Sequence, residues 1–335
     1  MNRDPIPAIE KLGYTLREAS FLYLAAAHSG YFLRRQFAQF IDRVDGAMAT
    51  YFLRKAEARG HMHVLGCGQH RQVIHVGGKT IYRLLGNEDS QNRRIKGEEE
   101  IQRRLMVLDY VLENLSTDFL ITEQQKVGFF HQRWAIPLAK LPHVAFRSAD
   151  GRTQTIRYFI ERLPVEALKG NANQASARFL YIDTGAATAK PFRRFLASHA
   201  SLFDALTELE LVYVAAAEEN FAEAEQEFQR QFPVDAATKK FPRGIEHFLA
   251  YLKARQAWDR NGNSVPLEQW ALLREGIELY AMPEHEVMVA QWKVGAIREP
   301  TLRAEFSART GMRRFTPYRL EGSYPFGPPR YRGRT

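Results

Sequence analysis

The chain has 335 residues, 45% of them hydrophobic, with a net charge of +9 and a single cysteine. That length supports two or three modest cores, and one cysteine excludes an internal disulfide framework. The longest apolar run, residues 21–27, falls far below the ~20 residues that a membrane-spanning helix needs. The first residues lack the basic, apolar, small-residue order of a secretory signal, so a reducing, cytoplasmic setting is expected.

The charge is unevenly placed. Residues 1–86 hold 12 Lys and Arg against 6 Asp and Glu, and residues 298–335 hold 9 Arg against 3 Glu, which leaves the middle mildly acidic. Clustered cations suit a polyanion, because neutralising phosphates releases counterions. A solvated basic surface accounts for the same distribution equally well.

In chain order, Thr15-Leu16-Arg17-Glu18 has the spacing of a capping box and predicts a helix over 15–29, ended by Gly30. Leu33, Phe37, Phe40 and Ile41 predict a second, short amphipathic helix. A third, over 47–59, puts Ala49, Phe52, Leu53 and Ala56 inward and Thr50, Tyr51, Arg54 and Ala58 outward. The period then changes: β-prone runs at 62–65, 73–76 and 79–84 flank Gly77-Gly78, which predicts a two-residue hairpin. Three helices and a hairpin predict a winged helix-turn-helix over 1–86. The outward residues Thr50, Tyr51, Arg54 and Lys55 would enter a major groove of double-stranded DNA. Arg34 and Arg35 would anchor phosphates, and Arg71 and Lys79 would do so from the wing.

Residues 90–115 read as one linker helix (87–117), whose Ile101, Leu105, Leu108, Leu112 and Leu115 recur at heptad-like steps. That seam serves either internal packing, the favoured reading, or a homodimer. From 118 to 232 the reading is mixed α/β, with strands at 126–130, 144–147, 156–162 and 179–183. A helix over 191–206 and a strand over 210–214 complete a βαβ unit with parallel strands. Residues 233–335 are expected to be helical, with an irregular basic tail from Gly311.

The run from Thr15 to Phe37, with the helix, hairpin and linker helix after it, resembles the replication-relaxation family of bacterial plasmids and mobile elements. The resemblance implies an accessory DNA-binding factor in replication, relaxation or transcription control, with a relaxase or replication protein as partner. It also implies a C-terminal domain similar to a restriction-endonuclease fold. There Leu141-Pro142-His143 would match a Pro-Asp strand and Asp183 the next acidic position. His143 stands where an aspartate is expected and no lysine follows Asp183 by two places, so the domain is expected to be degenerate, with no catalytic residues and no cofactor.

Two rival constellations remain. His61, His63, Cys67 and His70 have spacings compatible with a small zinc site, weakened by the lack of a Cys-x-x-Cys pair. His61-Met62-His63 also matches the histidine pair of nicking relaxases, with Tyr110 the nearest helical tyrosine, though three letters match readily by chance. A metal-dependent nuclease or nicking enzyme, and an interaction scaffold without DNA affinity, are therefore the alternatives.

Overall fold

The computed structural model describes residues 4–326 apart from 43–45, 67–71, 149–152, 162, 169–174, 186–187, 233–240, 242, 262–265 and 304–311. The fold is mixed α/β. Among the described residues no helix is long and apolar enough to cross a membrane.

The chain opens with α1 (Ile6–Glu10), α2 (Leu16–His28), β1 (Tyr31–Leu33), α3 (Arg34–Phe40), α4 (Ala47–Ala58), β2 (His63–Gly66), β3 (Gln72–His75) and α5 (Lys79–Leu84). Both halves of the capping box form: Glu18 N–H donates to Thr15 Oγ1 (3.4 Å) and Thr15 N–H to Glu18 Oε2 (2.8 Å). Two orphan amides are thereby satisfied at the start of α2. The strands form an antiparallel sheet in the order β1-β3-β2, with Phe32 and Val64 both opposite Ile74. Phe21, Phe32, Phe37 and Phe52 are fully buried beneath it, Phe37 and Phe52 stacking 4.2 Å apart.

The Gly77-Gly78 hairpin does not form. Residues 79–84, expected as a strand, are α5, and the hairpin joins β2 to β3 instead. Gly78 has a φ of −64°, so no left-handed turn required it. A Cβ there would lie 2.6 Å from His61 Cα and 3.0 Å from Gly60 O. The glycine is needed because two backbones touch, which a sequence pattern does not distinguish from a tight turn.

The linker helix is α6 (Glu98–Glu113), shorter than expected because a 3-10 turn occupies Gln91–Arg93. Three glutamates in its first turn favour the positive end of the helix dipole. Leu108 and Leu112 enter the N-terminal core, whereas Ile101, Leu105, Met106, Val107, Tyr110 and Val111 enter a second core. A helix buried on nearly every side from Ile101 to Leu112 is an internal spine. Its seam is thus consumed inside the chain and is not available to zip a second copy; only Leu115 lies exposed.

The second core surrounds a five-stranded sheet. In chain order come β4 (Phe119–Leu120), α7 (Glu123–Val127), a two-stranded ribbon of β5 (His143–Arg147) and β6 (Gln154–Tyr158), β7 (Val165–Ala167), β8 (Ser176–Asp183), α8 (Lys190–Ala205), β9 (Glu208–Ala215) and α9 (Phe221–Gln231). The sheet order is β10-β9-β8-β7-β4, where β10 is Met312–Arg319. β8 and β9 are parallel across α8, as the βαβ pattern predicts. Two expectations fail here. Residues 126–130 are helical, because Thr122 and Gln125 make a capping box that continues through α7 into a π-helical turn at Gly128–Arg133. The tail expected to be irregular supplies β10, parallel to β9 with Phe315 opposite Leu211.

A third, separate core joins α10 (Gly244–Asn261), α11 (Leu267–Leu279) and α12 (Pro283–Lys293) around Phe248, Tyr251 and Tyr280. After these helices the chain returns to the sheet through β10, in the tail expected to be irregular.

Candidate nucleic-acid interface

Helix α4 divides cleanly into two faces. Ala49, Phe52, Leu53 and Ala56 are buried as their spacing predicts. On the other side Tyr51 is 68% and Met48 56% exposed, and Arg54 is exposed. Among the described residues nothing pairs with the Arg54 guanidinium. Free donors beside an exposed ring, on a helix held rigid by aromatic packing, are the equipment for reaching base edges.

The neighbouring cations behave differently. Arg34 Nη2 donates to Thr50 Oγ1 (2.7 Å) and to Gly46 O (3.0 Å), so this pair fixes the start of α4 on α3. Lys55 is ion-paired with Glu18, both side chains being nearly buried, and its Nζ lies 5.1 Å above the Tyr14 ring and 5.4 Å from that of Tyr51. It ties α4 to the capping box of α2 instead of facing solvent.

Arg35 corrects the expectation of a phosphate anchor. Its Nη1 and Nη2 donate to the two carboxylate oxygens of Asp109 on α6, at 2.9 and 2.7 Å, and Asp109 is only 2% exposed. The same carboxylate accepts from Gln36 Nε2 (2.7 Å) and from Tyr324 Oη (2.6 Å). Arg35 also lies 5.3 Å from the Tyr324 ring centroid, and a Cβ on Gly322 would come within 2.4 Å of its guanidinium. Residues 320–326 therefore run back over α6 and lock the N-terminal domain to the sheet. Burial pushes the Tyr324 hydroxyl well above its ordinary pKa, with the Asp109 charge adding to it.

Lys79 is likewise not at a hairpin tip. It begins α5 and pairs with Glu88 (2.8 Å), which also accepts from Arg83 (3.2 Å); these bonds hold the Glu88 carboxyl below the usual range. Arg71, Cys67 and His70 lie outside the described residues.

The rival chemistries gain little from the geometry. His61 is buried, its Nδ1 2.8 Å from Tyr14 Oη, and burial lowers its pKa; His63 is exposed on β2. Tyr110 is buried in the sheet core, and burial pushes its hydroxyl up to about 12. Among the described residues no group of three or more His, Cys, Asp or Glu could hold a metal ion. His143 sits in the ribbon and not beside β8, so Leu141-Pro142-His143 is not the strand that neighbours Asp183. The strands beside β8 are β7, with Val165 opposite Phe179, and β9, with Ala215 opposite Asp183 itself.

Asp183 itself is engaged on both oxygens. Oδ1 accepts from Gly185 N–H (2.9 Å), and Oδ2 accepts from Tyr213 Oη (2.9 Å) and Asn220 Nδ2 (2.8 Å). These bonds knit β8, β9 and the start of α9. Glu161, before β7, is half-buried with a raised pKa caused by desolvation, opposed by Arg103 and Lys126. Two cations beside one carboxyl make a poor cation site.

No family model, curated protein or solved structure matches this chain.

Proposed function

We propose that this protein is a double-stranded DNA-binding accessory or regulatory factor, of the mobile-element kind implied by the replication-relaxation resemblance. It acts in plasmid replication, relaxation or transcription control through a partner such as a relaxase or replication protein. The observation that carries this reading is the α4 surface: an exposed Tyr51 and Arg54 on a helix whose opposite side is locked into an aromatic core. The order α2, β1, α3, α4, β2, β3, with β1 and β2 both paired to β3, supports a winged helix-turn-helix with α4 as its groove-reading helix.

The larger domain is read as a degenerate endonuclease-like scaffold. Asp183 ends one strand, α8 follows, and β9 lies parallel beside it, which agrees with the resemblance. Its carboxylate serves three structural hydrogen bonds, so the proposal assigns it no catalysis.

The test is binding of full-length protein to duplex DNA across a salt series. The proposal expects affinity that falls steeply as salt rises. Absence of any salt-dependent binding would favour the interaction scaffold. Divalent-dependent cleavage that disappears in Asp183→Ala would instead assign the chain to the nucleases.

A further inference from the structure

The outward side of α4 is chemically uneven, and the unevenness bears on which bases it can read. Ala47, Tyr51, Arg54 and Ala58 recur at helical steps, so they form one stripe along the helix, and all four are exposed. Met48, 56% exposed, flanks that stripe on one side and the exposed Glu57 flanks it on the other.

The remaining polar side chains on this side are already engaged. Thr50 Oγ1 accepts from Arg34, and Lys55 is drawn down onto Glu18. Of the α4 side chains facing outward, Arg54, Glu57 and the Tyr51 hydroxyl have no hydrogen-bond or ion-pair partner among the described residues. Lys55 Nζ lies 5.4 Å from the Tyr51 ring centroid, which covers one face of the ring and steadies it. What is left to meet a duplex is one guanidinium, one carboxylate and the carbon surface of Ala47, Met48 and Tyr51. The alanines at both ends of the stripe add nothing beyond a Cβ, so the helix can approach the floor of a major groove closely.

These groups select bases unequally. Guanine alone offers two adjacent acceptors, O6 and N7, to a bidentate guanidinium. Carbon surface has one counterpart on the groove floor, the 5-methyl group of thymine. Arg54 stands one helical step after Tyr51, a rise of about 4.5 Å against the ~3.4 Å between base pairs, so the two side chains meet neighbouring pairs. Glu57 fits the same pattern. A carboxylate repels phosphates and suits a base edge only at an amino donor, which the cytosine opposite a guanine supplies at N4.

We infer that α4 reads a guanine through Arg54 and the methyl of a neighbouring thymine through Tyr51 and Met48, so that its preferred duplex carries both on adjacent base pairs. This rests on the DNA-binding reading above and gives that surface its sequence preference. The test begins with full-length wild type selecting duplexes from a random pool. In the selected duplex each thymine is replaced by uracil, which removes only the methyl, and each guanine by 7-deazaguanine, which removes the N7 acceptor. One uracil position beside the critical guanine should weaken binding about fourfold, the effect of a single buried methyl, and 7-deazaguanine should weaken it about tenfold. Met48→Ala/Tyr51→Ala should bind the thymine and uracil duplexes equally, and Arg54→Ala the guanine and 7-deazaguanine duplexes. A wild type that binds duplex DNA without enriching any sequence, or that binds every uracil duplex as tightly as the thymine one, would overturn the inference and leave the DNA-binding reading standing. A methyl effect that persists in Met48→Ala/Tyr51→Ala would overturn it too, by placing the thymine contact on another element. A wild type that binds no duplex at any salt concentration would overturn the parent reading and the inference with it.

Discussion

Helices α3 and α4 carry the same residue type to opposite ends. On α3, Arg35 is taken into a network with Asp109, Gln36 and Tyr324, closed by residues that lie 74, 73 and 215 positions apart in the sequence. On α4, Arg54 reaches solvent with no partner among the described residues. Side-chain chemistry does not separate the two; the partner does, and for Arg35 the partner comes from a helix and a tail that local pattern does not connect to it. A basic surface in sequence is therefore a mixture of cations that hold the fold and cations that are free to meet a ligand.

Arg35→Ala should break the first kind most severely. It leaves a buried carboxylate without its cation, at a cost of about 3–5 kcal/mol, visible as a lower urea midpoint. An unchanged midpoint would mean that the junction contributes nothing to folding.

Acid probes the sheet domain independently. His199 on α8 is 6% exposed, and burial, together with the charge of Lys126, lowers its pKa to about 4 from 6.5. The unfolded chain takes up this proton near pH 6.5 and the folded chain only near 4. Stability is thus complete above about 6.5 and falls as pH drops toward 4, by on the order of 3 kcal/mol. Burial beside Lys126 lowers the His28 pKa to about 4 as well, so His199→Leu should reduce that part of the slope without abolishing it; a profile that keeps the same slope would assign the acid sensitivity elsewhere.

Tyr324→Phe keeps the ring against Arg35 and removes one donor to Asp109, for about 2 kcal/mol. Faster proteolysis after residue 320 would accompany that loss, and a variant as stable as wild type would remove the tail from the lock. The smallest effect belongs to Lys79→Ala. Its exposed pair with Glu88 leaves the unfolding midpoint unchanged, and DNA affinity should move little because Lys79 is not on a hairpin tip.

What the sequence made legible follows the same division. The capping box at Thr15, the inward face of α4, and the β8, α8, β9 unit are local patterns, and each formed where its spacing placed it. Residues 126–130 misled because β-prone Val and Phe outweighed the Thr122-x-x-Gln125 signal, which was there to be read. β10 was hidden for another reason. Arg313, Arg314 and Pro317 do not resemble a strand, and only the edge of β9 together with the carbonyls of Phe203 and Leu206, which Arg313 caps, makes them one. Of the candidate interface, Tyr51 and Arg54 were legible as outward residues. That Lys55, Arg34 and Arg35 are bound internally depended on Glu18, Thr50 and Asp109 arriving from elsewhere in the fold.

The central claim is most directly tested by fluorescence anisotropy of labelled duplex DNA titrated with wild type and with Tyr51→Ala/Arg54→Ala at one moderate salt concentration. Both positions are exposed, so the variant should unfold at the same temperature as wild type. The account predicts at least tenfold weaker binding, from a loss of about 1–3 kcal/mol per base contact. Equal affinity of the two proteins would contradict it.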